Sequence, residues 1–365
     1  MALLEEGQVI RDTYEVERFL GEGAFAEVYR VKHKFLGRHA MKVFKRVGMT
    51  EARILEMLGE AIMLTRIGHP NIVRVFDANV FETPRGSCGY FTMENVPGGS
   101  LEKFWHSHGN QFVPVETTVT LMKQVCRGLS IAHRQDPPVV HRDIKPQNIL
   151  VGYEAEGLRA RVSDFGLAKK VNPLTLLATA AGTPHFKPPE AFSDEKGDSC
   201  SADVWAIGTT LYLLLTDQFP FKFPSDLGWG TKNLFKEPIR AAADINPDVD
   251  ESLDRLIGKS LDPQPSRRFQ NAVELLDAFD AWMPRPERRK PESRPSQIPK
   301  TALGEEHSSP NQLEADEMAK RAISLKKQGK LAEAADLMEE AFNKSPDLRD
   351  RYSHQVRLWR CGISM

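Results

Sequence analysis

Cysteine is scarce in this chain. Four occur in 365 residues, at positions 88, 126, 200 and 361, and no two have CxxC spacing. That argues against a disulfide scaffold and against a thiolate zinc site, and the expectation is reduced thiols in a cytoplasmic setting. Net charge is nearly absent as well: 49 Lys and Arg stand against 50 Asp and Glu, a formal −1. Nothing in that balance draws the whole chain to nucleic acid or to an anionic membrane, and no nucleic-acid partner is expected. Long apolar runs are missing too. The longest, VWAIGTTLYLLL at 204–215, is shorter than the ~20 residues of a bilayer span and reads as a buried helix. The start, MALLEEGQVIRDTYEV, is acidic and has no apolar centre, so no signal peptide is expected. What remains is an ordinary soluble composition, 41% hydrophobic and 27% charged, with room for one large domain and something smaller.

Along the chain, the stretches YEVERFLG, AEVYRVKHK and RHAMKVFK alternate apolar and polar residues between glycines 21, 23 and 37 and predict three strands. A helix is expected over 51–67, then two more strands in HPNIVRVFDANV and SCGYFTMENV, and a turn at PGGS, 97–100. Thereafter the pattern turns helical. ETTVTLMKQVCRGLSIAH has apolar residues at 119, 122, 125, 126, 129 and 132, a 3.6-residue period, and further helices fit 202–216, 249–261 and 271–282. PRPERRKPESRPSQIPK is rich in proline and charge and reads as a linker.

The stretch GEGAFAEVYR, 21–30, fits two phosphate-binding patterns. A dinucleotide-binding unit would run from the glycines directly into a helix. Here a strand follows, which favours a loop closing over the phosphates of ATP. Lys42 lies on the third expected strand, 19 residues after Gly23, where it would reach phosphates beneath that loop. HRDIKPQN (141–148) and SDFG, with Asp164, follow in order. This set resembles the protein kinases from residue 14 to about 283, and chance co-occurrence of all of it in this order is negligible beside a lone GxGxxG.

The resemblance implies an α+β, two-lobed fold: a small antiparallel sheet lobe with one main helix, about 14–96, and a larger, mostly helical lobe, about 97–283. Residues 1–13 would be an N-terminal extension, 284–311 a linker, and 312–361 a short helical tail. It also implies ATP and Mg2+ as cofactors. Gly21 and Gly23 would let the loop backbone lie over the phosphates, with Ala26 where many members have a third glycine. Val28 and Ala40 would roof the adenine, with Leu150 as floor, Met93 behind it, and backbone bonds from Glu94 and Val96. Lys42 would bind the α- and β-phosphates and be held by Glu60. Asp143 would accept or orient the proton of the substrate hydroxyl, Lys145 would steady the transferring phosphate, and Asn148 and Asp164 would hold magnesium. His141 and Phe165 would pack with Leu64 and Val75 into an apolar spine.

Lysine in DIKPQN resembles the serine/threonine members and implies protein substrates bearing Ser or Thr. GTPHFKPPE, 182–190, resembles the end of an activation segment, where Glu190 would pair with Arg267 or Arg268. Asp203 would hold the catalytic-loop backbone or else cap its helix. Arg142 would receive a phosphate on Thr179, with Thr175 as the next candidate. LTLLATAAG is apolar for a surface loop and would pack on a partner or on a sister kinase, as in a homodimer that phosphorylates itself. Two other readings stand beside this one: a pseudokinase scaffold that only binds partners, and a small-molecule kinase on the same fold. Lys42, Asp143 and Asp164 are all present, which disfavours the first; HRDIKPQN with a full GTP…PPE segment disfavours the second.

In the tail, Gly329, Ala334, Ala341 and Pro346 have the spacing of one tetratricopeptide repeat, with leucine and methionine where aromatic residues are usual. One repeat cannot bury its own face. The tail therefore reads as a helical hairpin hinged at Gly329, either docked on the main domain or on another chain or serving as a true repeat module, and 348–360 is a candidate third helix.

Overall fold

The computed structural model describes residues 2–23, 26–48, 50–53, 55–56, 68–83, 86–109, 112–154, 157–165, 184–192, 199–221, 234–235, 237–283 and 310–360. Glu60 and Leu64, the threonines at 175, 179 and 183, and residues 284–309 lie outside that set. The helix expected over 51–67 is helical at 51–53 and 55–56, and its remainder is also outside it.

Alternating side chains build the small lobe. Its antiparallel sheet has the order β1-β2-β3-β4-β6-β5, from β1 (Val9–Ile10), β2 (Tyr14–Glu22), β3 (Ala26–His33), β4 (Gly37–Val47), β5 (Val75–Thr83) and β6 (Gly86–Glu94). One face buries Tyr14, Val16, Tyr29, Val31, Met41, Val43 and Tyr90; the other buries Ala26, Ala40, Phe44, Phe91 and Met93. That division follows the two-residue period of a strand. Residues 2–13, read from sequence as an extension, belong to the first face. Leu4 and Ile10 are buried there, and the Leu4 amide donates to the Tyr29 hydroxyl at 3.0 Å.

The strand expected from His69 starts at Val75 instead. The preceding segment is drawn to the other lobe. Val73 N donates to Val162 O, and Val162 N donates to Asn71 O, both at 2.9 Å. Asn71 Nδ2 donates to Ala160 O at 2.8 Å. Residues 71–73 thus stitch the two lobes together.

In the large lobe, α1 (Leu101–His106) begins at Ser100, whose Oγ accepts the Lys103 amide. Next come α2 (Val115–His133), α3 (Cys200–Thr216), α4 (Glu251–Ser260) and α5 (Ala272–Ala281). Helix α3, the long apolar run, is buried on all sides. A hairpin that the sequence did not reveal, β7 (Ile149–Glu154) and β8 (Gly157–Val162), lies between α2 and α3 in the chain. The lobes join at Glu94–Ser100. At Gly98 any Cβ would come within 2.1 Å of Val151 O, so only glycine fits there.

In the tail, the hairpin of α6 (Pro310–Lys327) and α7 (Leu331–Phe342) is followed by the candidate third helix, α8 (Pro346–Arg360). Gly329, at φ +76°, makes the turn between the first two. Pro346 opens the third helix instead of ending the second. Small residues Ala315, Ala319, Ala322, Ala334, Ala335 and Ala341 let these helices approach closely around Met338 and Phe342.

Candidate active site

The site lies where β3, β4 and β6 of the small lobe face β7 and the loop before it. Cross-strand register places Val28 opposite Lys42, Lys42 opposite Phe91, and Ala40 opposite Met93. Val28, Ala40, Met93 and Leu150 share one apolar cluster, so the expected roof and floor of the adenine pocket meet. Gly21 is paired with Val28 across β2 and β3, and Gly23 N donates to Ala26 O at 2.8 Å. At the lobe junction Glu94 N donates to Arg74 O at 2.9 Å, the Glu94 carboxylate pairs with Arg161 at 3.1 Å, and Val96 O accepts the Gly99 amide at 3.1 Å.

Lys42 Nζ lies 2.7 Å from Asp164 Oδ2, an ion pair that spans the two lobes. The other oxygen, Asp164 Oδ1, is buried and has no hydrogen-bond partner among the described residues. An unsatisfied buried carboxylate oxygen is unfavourable unless a ligand completes it. Asp143 accepts from Lys145 Nζ at 2.8 Å and from Asn148 Nδ2 at 2.9 Å. Asn148 Nδ2 also donates to the Asp143 carbonyl at 2.8 Å, which directs the amide nitrogen at Asp143 and leaves Oδ1 as the acceptor end. Ser163 ties this loop to the Asp164 segment: its N and Oγ both donate to Asn148 O, at 2.9 and 3.0 Å. Asp164 and Arg142 both hold left-handed backbone, φ 63° and 70°. Non-glycine residues keep such angles only where the surroundings impose them.

What imposes them is a buried network. His141 Nε2 donates to Ser163 O at 2.7 Å, and its ring meets Phe165 at 4.6 Å edge to face. Asp203, 1% exposed, accepts His141 N at 2.7 Å, Arg142 N at 2.9 Å and His133 Nε2 at 3.0 Å. Capping of α3 falls to Ser199, whose Oγ accepts the Ala202 amide at 3.2 Å, so Asp203 is given over to the catalytic loop. Burial pushes the Asp203 carboxyl up, but the donors from His133 and His141 more than reverse this and hold it below the usual carboxylate range. For His133, burial opposes a proton and Asp203 favours one, with the balance upward. Yet His133 Nδ1 accepts the Ala272 amide at 3.1 Å, at the N-terminus of α5, where a cation is disfavoured. We assign the neutral ring with its proton on Nε2.

Of the residues singled out from sequence, Lys42, Asp143, Lys145, Asn148, Asp164, Val28, Ala40, Met93 and Leu150 gather in this region, whereas the Lys42–Glu60 pair lies outside the described residues. Arg268, not Arg267, holds Glu190, through two 2.7 Å hydrogen bonds. Its guanidinium also sits 4.8 Å above the Trp205 ring. Sequence reasoning missed His133, although it ends the periodic face of α2. It also missed Lys187, whose Nζ donates to Arg142 O at 2.8 Å from within GTPHFKPPE.

Residues 14–279 match the protein kinase domain model. A probable serine/threonine-protein kinase of Clostridium acetobutylicum is 30% identical over 275 residues, which are 74% of this chain and 40% of that protein. The serine/threonine-protein kinase PknB of Mycolicibacterium smegmatis is 30% identical over 277 residues, 73% of this chain and 42% of the relative. The chain thus spans about two fifths of the length of these curated relatives. Among solved structures, the PknI kinase domain of Mycobacterium tuberculosis aligns with a TM-score of 0.54 at 26% identity, covering 77% of this chain and 99% of that one. No helix among the described residues is long and apolar enough to cross a membrane. With a family model covering most of its length, this chain belongs to the protein kinase domain family.

Proposed function

We propose that the chain transfers the γ-phosphoryl group of ATP to serine or threonine hydroxyls of protein substrates. The observation that carries this reading is the pairing of two carboxylates with two lysines at the lobe junction: Asp164 with Lys42, and Asp143 with Lys145. The relatives named above support the substrate class.

The donor set suits a nucleotide with magnesium. Among the described residues no cluster of three or more His, Cys, Asp or Glu could hold a metal alone. Magnesium at phosphotransfer sites needs only one or two protein oxygens, with phosphates and water supplying the rest. Asp164 Oδ1 and Asn148 Oδ1 would be those oxygens. Bound there, the ion would neutralise charge on the phosphates. Val28, Ala40 and Leu150 exclude water from the base, and Lys42 meets phosphate oxygens. Lys145, already on Asp143, would follow charge onto the transferring group. Asp143, positioned by Lys145 and Asn148, orients the hydroxyl and takes its proton. Phosphate on Thr179 or Thr175 would pair with Arg142 and order the activation segment.

Phosphate incorporation from labelled ATP and magnesium tests this. Asp143→Asn keeps the shape of the side chain and should lower turnover by roughly 10²–10⁴-fold, the range of a lost general base. Label on Thr179 or Thr175 that disappears in the variant supports both parts of the proposal. Equal label in both proteins rejects Asp143 as the base.

A further inference from the structure

Arg18 and Arg30 stand directly opposite each other on β2 and β3. Like charges in that register are destabilising. The tail resolves the conflict. Glu340 of α7 forms an ion pair with Arg18 and lies 3.6 Å from Arg30. One helical turn away, Asp336 meets Arg38 at 2.9 Å. Within the small lobe these three arginines have Glu17, which pairs with Arg30 at 2.7 Å and Arg38 at 3.0 Å. Those four residues alone carry +2, and Asp336 and Glu340 bring the patch to neutrality.

The patch adjoins the candidate nucleotide pocket. Arg30 follows Val28 by two residues and Arg38 precedes Ala40 by two, so strand alternation puts them on the face that roofs the adenine. On the other lobe the tail is held differently. Phe342 packs edge-on against Tyr153 at 5.3 Å, and the Arg349 guanidinium sits 4.5 Å over Phe104. Arg349 Nη2 donates to Ser107 Oγ at 2.8 Å, and Asn343 Nδ2 donates to Gly98 O at 2.6 Å, at the junction itself.

We infer that the tail is a clamp across the two lobes, anchored on the large lobe by Phe342, Arg349 and Asn343. In it Asp336 and Glu340 are positioning residues that hold the small lobe over the nucleotide pocket. The clamp stands on the contacts; its effect on nucleotide rests on the proposed function. The anchor combines aromatic packing with hydrogen bonds and the grip is ionic, so weakening the grip releases the small lobe while the tail stays in place.

The test uses the full chain and its Asp336→Asn/Glu340→Gln variant, which removes charge and keeps shape. Hydrogen exchange, read without nucleotide, should become several-fold faster at residues 94–99 and in β3 and β4, with α3 and the Phe342 region unchanged. Unchanged exchange at 94–99 overturns the clamp. Calorimetry with ADP and magnesium then reads the consequence. The variant should bind about fivefold more weakly, the low end of ordinary coupling between sites. In turnover, KM for ATP should rise with kcat nearly constant, and Asp336→Glu with Glu340 intact should keep the wild-type KM. Faster exchange with unaltered affinity overturns the positioning role. A wild-type chain that binds no nucleotide rejects the proposed function instead, and exchange still decides the clamp.

Discussion

Two carboxylate anchors in this molecule do similar work under different conditions. Asp203 holds the catalytic loop from the floor of the large lobe, and Glu340 holds the small lobe from the tail. Asp203 is 1% exposed and its acceptor oxygens meet three N–H donors. Glu340 is partly exposed, at 16%, and faces the guanidinium groups of Arg18, 36% exposed, and Arg30, 17% exposed. A desolvated carboxylate with satisfied lone pairs makes a fixed point, because losing any partner leaves a buried polar group behind. A carboxylate at the rim loses little when its partner leaves, because water takes over. The first arrangement lies at the loop of residues 141–143, and the second lies where the tail meets the small lobe.

The largest effect should come from breaking the first anchor. Asp203→Ala strands the amides of His141 and Arg142 and the Nε2–H of His133. At ~1–3 kcal/mol for each buried donor left unmade, the loss should reach at least about 3 kcal/mol. Urea unfolding of the variant should show a lower midpoint at an unchanged slope. Turnover should fall together with stability, because Arg142 and Asp143 lose the support for their backbone. A midpoint equal to wild type would mean that Ser163 and Phe165 suffice to hold the loop.

How much of this was open to sequence reasoning depends on the kind of constraint. Lys42, Asp143, Asn148 and Asp164 stand out in the sequence because the motifs set particular side chains in a particular order, and the structure brings them together at the lobe junction. Asp203 was legible as one of two options, and burial with three donors decided between them. Arg268 against Arg267 was undecidable from spacing. Only one of the two sits over Trp205 with no exposed side chain, and that is the one that holds Glu190. The β7–β8 hairpin went unread because ILVGYEAEGLRARV mixes apolar, glycine and charged residues over two short strands. His133 had the right helical face but no motif to mark it. The docking of the tail had no local signal at all: Arg38 and Asp336 are 298 residues apart, and each reads alone as a solvated charge.

Acid sharpens the same comparison. The Asp203 carboxyl is held below its ordinary value in the folded protein. The unfolded chain therefore takes up the proton first as pH drops. The Asp203 contribution is fully present above the unfolded value near 3.8 and is lost as pH falls through the lower folded one. Unfolding free energy measured from pH 6 downward should therefore fall more steeply below about pH 4 in wild type than in Asp203→Asn. The two curves should converge at the acid end. Parallel curves would mean that Asp203 is not the carboxylate under tension.

The smallest effect belongs to the second anchor. Glu340→Gln removes one charge from a partly exposed network, and such pairs contribute about 0.2–1 kcal/mol to stability. Salt distinguishes this from the buried case. At about 1 M ionic strength the screening length shrinks to ~3 Å, comparable with the contact distances in the patch. The stability difference between wild type and Glu340→Gln should then shrink toward zero, while the deficit of Asp203→Ala persists. Unfolding midpoints of the three proteins at low and high salt give both differences in one series. A Glu340→Gln deficit that survives high salt would place this carboxylate with the desolvated anchors. The tail would then be a permanent wall of the kinase domain, and the small lobe would keep a single orientation over the candidate nucleotide pocket.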